Sequence, residues 1–101
     1  MVVRSRVKER IEARFPESTS ARQVRELGAF ARYCAHRVER DLGQYDAWII
    51  DIAPALGGYV THVAVCDRGA MVEEQGSGHD GALAVWDAMC RVEQRLREPH
   101  R

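Results

Sequence analysis

Five basic side chains, Arg22, Arg25, Arg32, His36 and Arg40, follow one another at intervals of three, seven, four and four residues. At 100° per residue that spacing sets all five on one side of a helix, with Arg37 at the margin. Glu26 and Glu39 border the stripe, but no acid stands at its centre. A solvated helix face ordinarily mixes opposite charges at i,i+4, because like charges there repel by a few tenths of a kcal/mol. A stripe of one sign therefore suits a polyanion. Fourteen of the fifteen cations are arginine, whose planar fork takes phosphate oxygens two at a time. Arg91 and Arg95 form a smaller group one helical turn apart, with Gln94 near them and Asp87 and Glu98 sharing the surface.

Other reactive residue types do not assemble into catalytic groups. Cys34 and His36 stand about 200° apart on a helix and cannot act as nucleophile and base. Asp51 and His62 can face each other across neighbouring strands, with Cys66 on the same side as His62. No third group or oxyanion donor accompanies them, so they read as a satisfied surface pair. Glu73 and Glu74 point to opposite faces of a strand. Gly76-Ser77-Gly78 lacks the Lys-Ser/Thr or third Gly of a phosphate loop. His79 and His100 have no evident partners. Cys34, Cys66 and Cys90 are odd in number and lack ligand spacing, which implies reduced thiols in a cytoplasmic protein with neither a disulfide framework nor a metal site. No cofactor is indicated.

The elements that position these residues follow from periodicity. Residues 1–8 (MVVRSRVK) read as a basic arm and 9–98 as a single domain. From Glu9 to Phe15, Ile11, Ala13 and Phe15 alternate with charged residues, the pattern of a half-buried strand ended by Pro16. Helical periodicity then runs from about Ala21 to Leu42, with Val24, Leu27, Ala31, Cys34, Ala35, Val38 and Leu42 on the apolar side and Gly43 as the stop. Strands are expected at Asp46–Ala53, Tyr59–Cys66 and Ala70–Gln75, with a loop at Pro54–Gly58 and a hairpin turn at Asp67-Arg68-Gly69. Gly76-Ser77-Gly78 is expected as a turn into a last helix, which buries Ala82, Val85, Trp86, Met89, Val92 and Leu96 and ends at Pro99. Four strands and two helices predict an α+β two-layer sandwich in the order β-α-β-β-β-α, with both helices on one face of the sheet.

Net charge is zero, so any affinity for a polyanion must be local. Residues 1–45 hold ten cations against six acids, whereas residues 46–101 hold five against nine. No apolar run is long enough to span a membrane, and the amino terminus has no signal-peptide core.

The element order, and the match of Asp80, Val85, Met89, Arg91, Val92, Glu93 and Leu96 to the last helix, resemble the ribosome hibernation promoting factor and ribosome-associated inhibitor family in its short form. The resemblance spans Arg10 to Glu98. Three departures from the family pattern are Gln94 in place of an Arg, Trp86 at a polar or small position, and Asp51 where basic residues are common. It implies a fold like that of double-stranded-RNA-binding domains and occupation of the small ribosomal subunit's mRNA and tRNA channel. The implied RNA contacts are Arg22, Arg25, Arg32, His36 and Arg40 on the first helix and Arg91 and Arg95 on the second. The expectation is a non-enzymatic translation inhibitor bound to small-subunit rRNA. The alternative is an interaction module of the same fold, a homodimer or partner subunit, that does not bind ribosomes.

Overall fold

The computed structural model describes residues 9–98. The arm expected over 1–8 and the stop at Pro99 lie outside the described residues. Strand β1, Ile11–Arg14, is followed by helix α1, Ala21–Leu42, then by strands β2, Ala47–Ala55, β3, Gly58–Asp67, and β4, Ala70–Gly78, and by helix α2, Gly81–Arg97. The sheet order is β1-β2-β3-β4. β1 pairs parallel with β2, which requires the crossover that α1 supplies; the remaining pairs are antiparallel.

Both helices begin where a side chain satisfies an orphan backbone donor. Ser20 Oγ accepts from the Gln23 N–H at 3.1 Å, and Asp80 Oδ1 accepts from the Leu83 N–H at 2.9 Å. Gly43, at φ 105°, ends α1 by donating its N–H to the Glu39 carbonyl. The turn between β3 and β4 places Arg68 at φ 53° and Gly69 at φ 83°, the paired left-handed residues of a type I′ hairpin.

One face of the sheet carries the core. Trp48, Ile50 and Ile52 from β2 and Val63 and Val65 from β3 meet Ala31, Cys34, Ala35 and Val38 of α1 and Val85, Ala88, Met89 and Val92 of α2. Each such Val or Ile contributes roughly 1.5–3 kcal/mol by leaving water. The helices run side by side and parallel: Leu27 packs over Gly81 near their first turns, and Asp41 pairs with Arg97 near their last.

Four details differ from the sequence reading. The loop expected at Pro54–Gly58 is a two-residue turn, because Ala55 pairs with Gly58 and Pro54 with Tyr59. Gly76-Ser77-Gly78 belongs to β4 and pairs along β3. Its glycines serve close approach: a Cβ at Gly76 would lie 2.2 Å from the Ala88 nitrogen. The helix consequently sets its small residues Ala84 and Ala88 against the glycines of β4, while Gly81 lies under Leu27 of α1, and Ala82 and Trp86, expected to be buried, are exposed. Val24 is likewise exposed, because it sits in the first turn of α1, near the edge of the core.

Candidate nucleic-acid interface on the helix layer

With its apolar side on the sheet, α1 turns its basic stripe to solvent. Arg22, Arg25, His36 and Arg40 are exposed and Arg32 is half-buried. Several of these cations already hold acids. Arg22 pairs with Glu26 at 3.1 Å, Arg32 reaches Glu9 at 3.4 Å, and His36 Nδ1 stands 3.9 Å from Glu39. Among the described residues Arg25 and Arg40 make no ion pair. They are fifteen residues apart, about 22 Å along the axis, and bracket the stripe.

The two cations of α2 do not join this surface. Arg91 bonds Asp87 at 3.3 Å, and Asp87 also accepts the Ser77 N–H of β4 at 3.0 Å. Arg95 pairs with Glu74, also on β4. Both therefore hang over the outer strand, on the side of α2 turned away from α1. Of the seven residues expected at the interface, five share the outer side of α1 and two lie beyond the second helix.

Between the helices runs a seam that charge spacing alone did not reveal. Arg37, marginal in the stripe, donates to Glu93 at 3.1 Å and lays its guanidinium 5.1 Å from the centre of the Trp86 ring. Arg97 bridges Glu93 and Asp41 across the same seam. One turn before Arg37, Tyr33 is 56% exposed and stacks on Phe30 with ring centres 6.4 Å apart. Trp86 is 42% exposed. The available signal was the spacing of Phe30, Tyr33 and Arg37 at i, i+3 and i+7, which marks a line on α1 distinct from both the core and the basic stripe.

Beneath the stripe, Glu39 holds three elements together. Its carboxylate accepts both guanidinium nitrogens of Arg10, the Tyr45 N–H at 3.0 Å and the Trp48 indole N–H at 2.9 Å. Burial alone would push this carboxyl up, but the Arg10, Tyr45 and Trp48 hydrogen bonds outweigh it and the pKa falls to about 2. Although it lies between His36 and Arg40 in sequence, Glu39 is turned inward at 8% exposure.

The opposite face of the sheet carries a band of titratable side chains. Asp51 and His62 are register partners, as expected, but each bonds elsewhere. Asp51 accepts from Arg14 at 2.8 and 3.1 Å, and His62 Nε2 lies 3.0 Å from Glu73. Glu73 and Glu74 do straddle the strand, with Glu74 on the helix side against Arg95. Cys34 is buried, which pushes its thiol up to about 11. Among the described residues no three His, Cys, Asp or Glu could hold a metal ion, and no helix is long and apolar enough to cross a membrane.

No protein-family model matches the sequence, and no curated protein does. Two solved structures match the fold over most of both chains. The N-terminal domain of Protein Y from Thermus thermophilus superposes with a TM-score of 0.67 at 15% identity, covering 86% of this chain and 92% of that one. A ribosomal subunit interface protein from Coxiella burnetii gives 0.68 at 19% identity, covering 85% and 91%. The chain therefore has the fold shared by these two proteins, the β-α-β-β-β-α architecture that its resemblance to the ribosome hibernation family implied.

Proposed function

We propose that this protein is a ribosome-associated, non-enzymatic factor that docks the outer face of α1 on small-subunit rRNA and thereby restrains translation in the cytoplasm. The observation that carries the reading is the pair of unpaired arginines, Arg25 and Arg40, at the two ends of an exposed basic stripe, on a fold shared with a ribosomal subunit interface protein. Arg22, Arg32 and His36 join them by exchanging surface acids for phosphate, an exchange that costs little because exposed ion pairs contribute only about 0–1 kcal/mol. Arg91 and Arg95 are secondary contacts at the β4 edge, engaged only if the RNA wraps beyond α2. Binding to phosphate releases counterions and weakens steeply with salt.

The test is co-sedimentation with purified small subunits at low and moderate salt, comparing the unaltered chain with an Arg25→Glu, Arg40→Glu variant. Both side chains are exposed, so the variant folds. Loss of sedimentation supports the reading, whereas a folded variant that sediments as well as the unaltered chain refutes it.

A second reading, self-association, is favoured by the open sheet face. Across β1 to β4 the open face carries Arg14, Asp51, His62 and Glu73, cation and acid at its two edges with an acid and a histidine between them. A two-fold axis parallel to the strands would set Arg14 over the Glu73 of a second copy and Asp51 over its His62, so the face is complementary to itself. Sedimentation velocity distinguishes the readings: a monomer at high micromolar concentration removes this one.

A further inference from the structure

The helix seam carries more exposed ring surface than a solvated helix pair needs. Tyr33 and Trp86 are both exposed, with the Arg37 guanidinium on the Trp86 ring and Phe30 behind Tyr33. Tyr33 and Arg37 are i,i+4 neighbours, so ring, guanidinium and ring follow one another across the seam. Leu83 and Cys90, at i−3 and i+4 from Trp86, extend the strip along α2 and are exposed as well. Rings in this position present a face or an edge to whatever lies on the helix layer. Beyond Arg37, the cations that lie nearest Tyr33 on its own helix are His36 and Arg40, which has no ion pair among the described residues.

We infer that this seam is a stacking platform for unpaired RNA bases, with Tyr33 and Trp86 each receiving a base while Arg40 and His36 hold the adjoining phosphates. The inference rests on the RNA-binding reading above and deepens it, because it names a single-stranded segment rather than a duplex as the ligand. Flat π-faces beside a cationic strip are what sequence-tolerant single-strand recognition requires, since every base has a face to stack. A duplex keeps its bases inside and would leave both rings against water or a sugar edge. Arg37 is spoken for by Glu93 and Trp86, so its part is to hold the indole in place and polarise it; it does not bind phosphate. That arrangement also accounts for an arginine at the margin of the basic stripe turned away from the other cations.

Tryptophan emission gives a direct readout, because Trp48 is fully buried and bonded to Glu39 while Trp86 is exposed. A single-stranded oligouridylate of about 12 nucleotides should quench Trp86, and an RNA duplex of equal length should quench it far less. Tyr33→Ala should weaken oligonucleotide binding about tenfold or more, Trp86→Ala similarly, and Trp86→Phe should restore most of the loss. Far-UV circular dichroism establishes that each variant is folded. Two results would overturn the platform: Tyr33→Ala and Trp86→Ala binding the oligonucleotide as tightly as the unaltered chain, or quenching by RNA-free ribosomal proteins but not by RNA. If the same two variants bind small subunits normally while Arg25→Glu, Arg40→Glu does not, the platform falls and the basic-face reading stands. If the unaltered chain fails to sediment with small subunits, the ribosomal reading falls instead.

Discussion

Replacing Glu39 by Gln removes the charge from the one acid that ties the start of β1, the loop before β2 and the core tryptophan to α1. The folded carboxyl titrates at about 2, against 4.5 for an ordinary glutamate. A shift of that size corresponds to about 3 kcal/mol of linked stability, at 1.36 kcal/mol per unit. The folded value lies below the unfolded one, so this contribution is fully present above about pH 4.5 and is lost as pH falls towards 2. Glutamine keeps one oxygen that can still accept from the Trp48 indole or the Tyr45 N–H, which brings the expected cost at pH 7 to about 2 kcal/mol. For a domain of this size that is a fall in melting temperature of roughly 10 °C. Urea denaturation followed by Trp48 emission and by circular dichroism measures the difference directly. The decisive observation is its pH dependence: the stability gap between the unaltered chain and Glu39→Gln should be full at pH 7 and nearly close by pH 2.5. A gap under about 0.5 kcal/mol at pH 7, or one that stays constant as pH falls, would refute the role given to Glu39.

The remaining predictions concern packing, thiol chemistry and salt. Gly76→Ala should cost more than about 3 kcal/mol or prevent folding, because the added Cβ would meet the Ala88 backbone at 2.2 Å; thermal denaturation checks this. Gly28→Ala should stabilise by about 0.5–1 kcal/mol, since it lies within α1 and its new Cβ meets the flexible end of Arg32 at 3.1 Å and the Phe15 ring at an ordinary 3.9 Å. Of Cys34 and Cys90, a thiol reagent at pH 8 should modify exposed Cys90 rapidly and Cys34 only on unfolding, because burial both hides the Cys34 thiol and raises it to about 11; peptide mapping after brief labelling distinguishes them. The logarithm of ribosome affinity should fall with the logarithm of salt at a slope of about −1.5 if only Arg25 and Arg40 meet the phosphates of a single strand, and about −5 if all seven basic positions do.

Much of the architecture was open to periodicity, and the exceptions share a cause. α1 was readable from the apolar stripe and Gly43, independent signals that agree. The core face of β2, with Trp48, Ile50 and Ile52, followed from simple alternation. Gly76 and Gly78 misled because a glycine pair before a helix reads the same whether the chain turns there or a helix backbone presses on it. The helix stripe of α2 was misplaced by its bulk: Trp86 is apolar and close in phase to Met89, yet the glycines of β4 draw Ala84 and Ala88 inward instead. The candidate interface divides in the same way. Its α1 half depends on one helix's own period, while the direction of Arg91 and Arg95 and the company of Arg37 depend on where the second helix lies, which no spacing within either helix encodes.

The charges of the described domain explain why a stacking seam and a short basic stripe belong together. Residues 9–98 hold eleven cations against all fifteen acids of the chain, so the described domain is net acidic, while the chain as a whole is neutral. Such a domain attracts RNA only locally, where its acids are turned aside. On α1 it is Glu39 that is turned aside, facing inward onto Arg10 and Trp48, while Glu26 stays exposed beside Arg22 at the margin of the stripe. On α2 and β4 the acids are not turned aside, since Asp87 and Glu74 accompany Arg91 and Arg95. On the proposed reading, electrostatics selects which face meets the polyanion but supplies little affinity, since on α1 only Arg25 and Arg40 have no ion pair among the described residues. Contact energy that salt does not screen must come from elsewhere on the same layer, and Tyr33 and Trp86 are the exposed large rings found there. An acidic domain with a local basic stripe and adjacent rings should bind weakly to RNA at large and well only where unpaired bases and phosphates meet both at once.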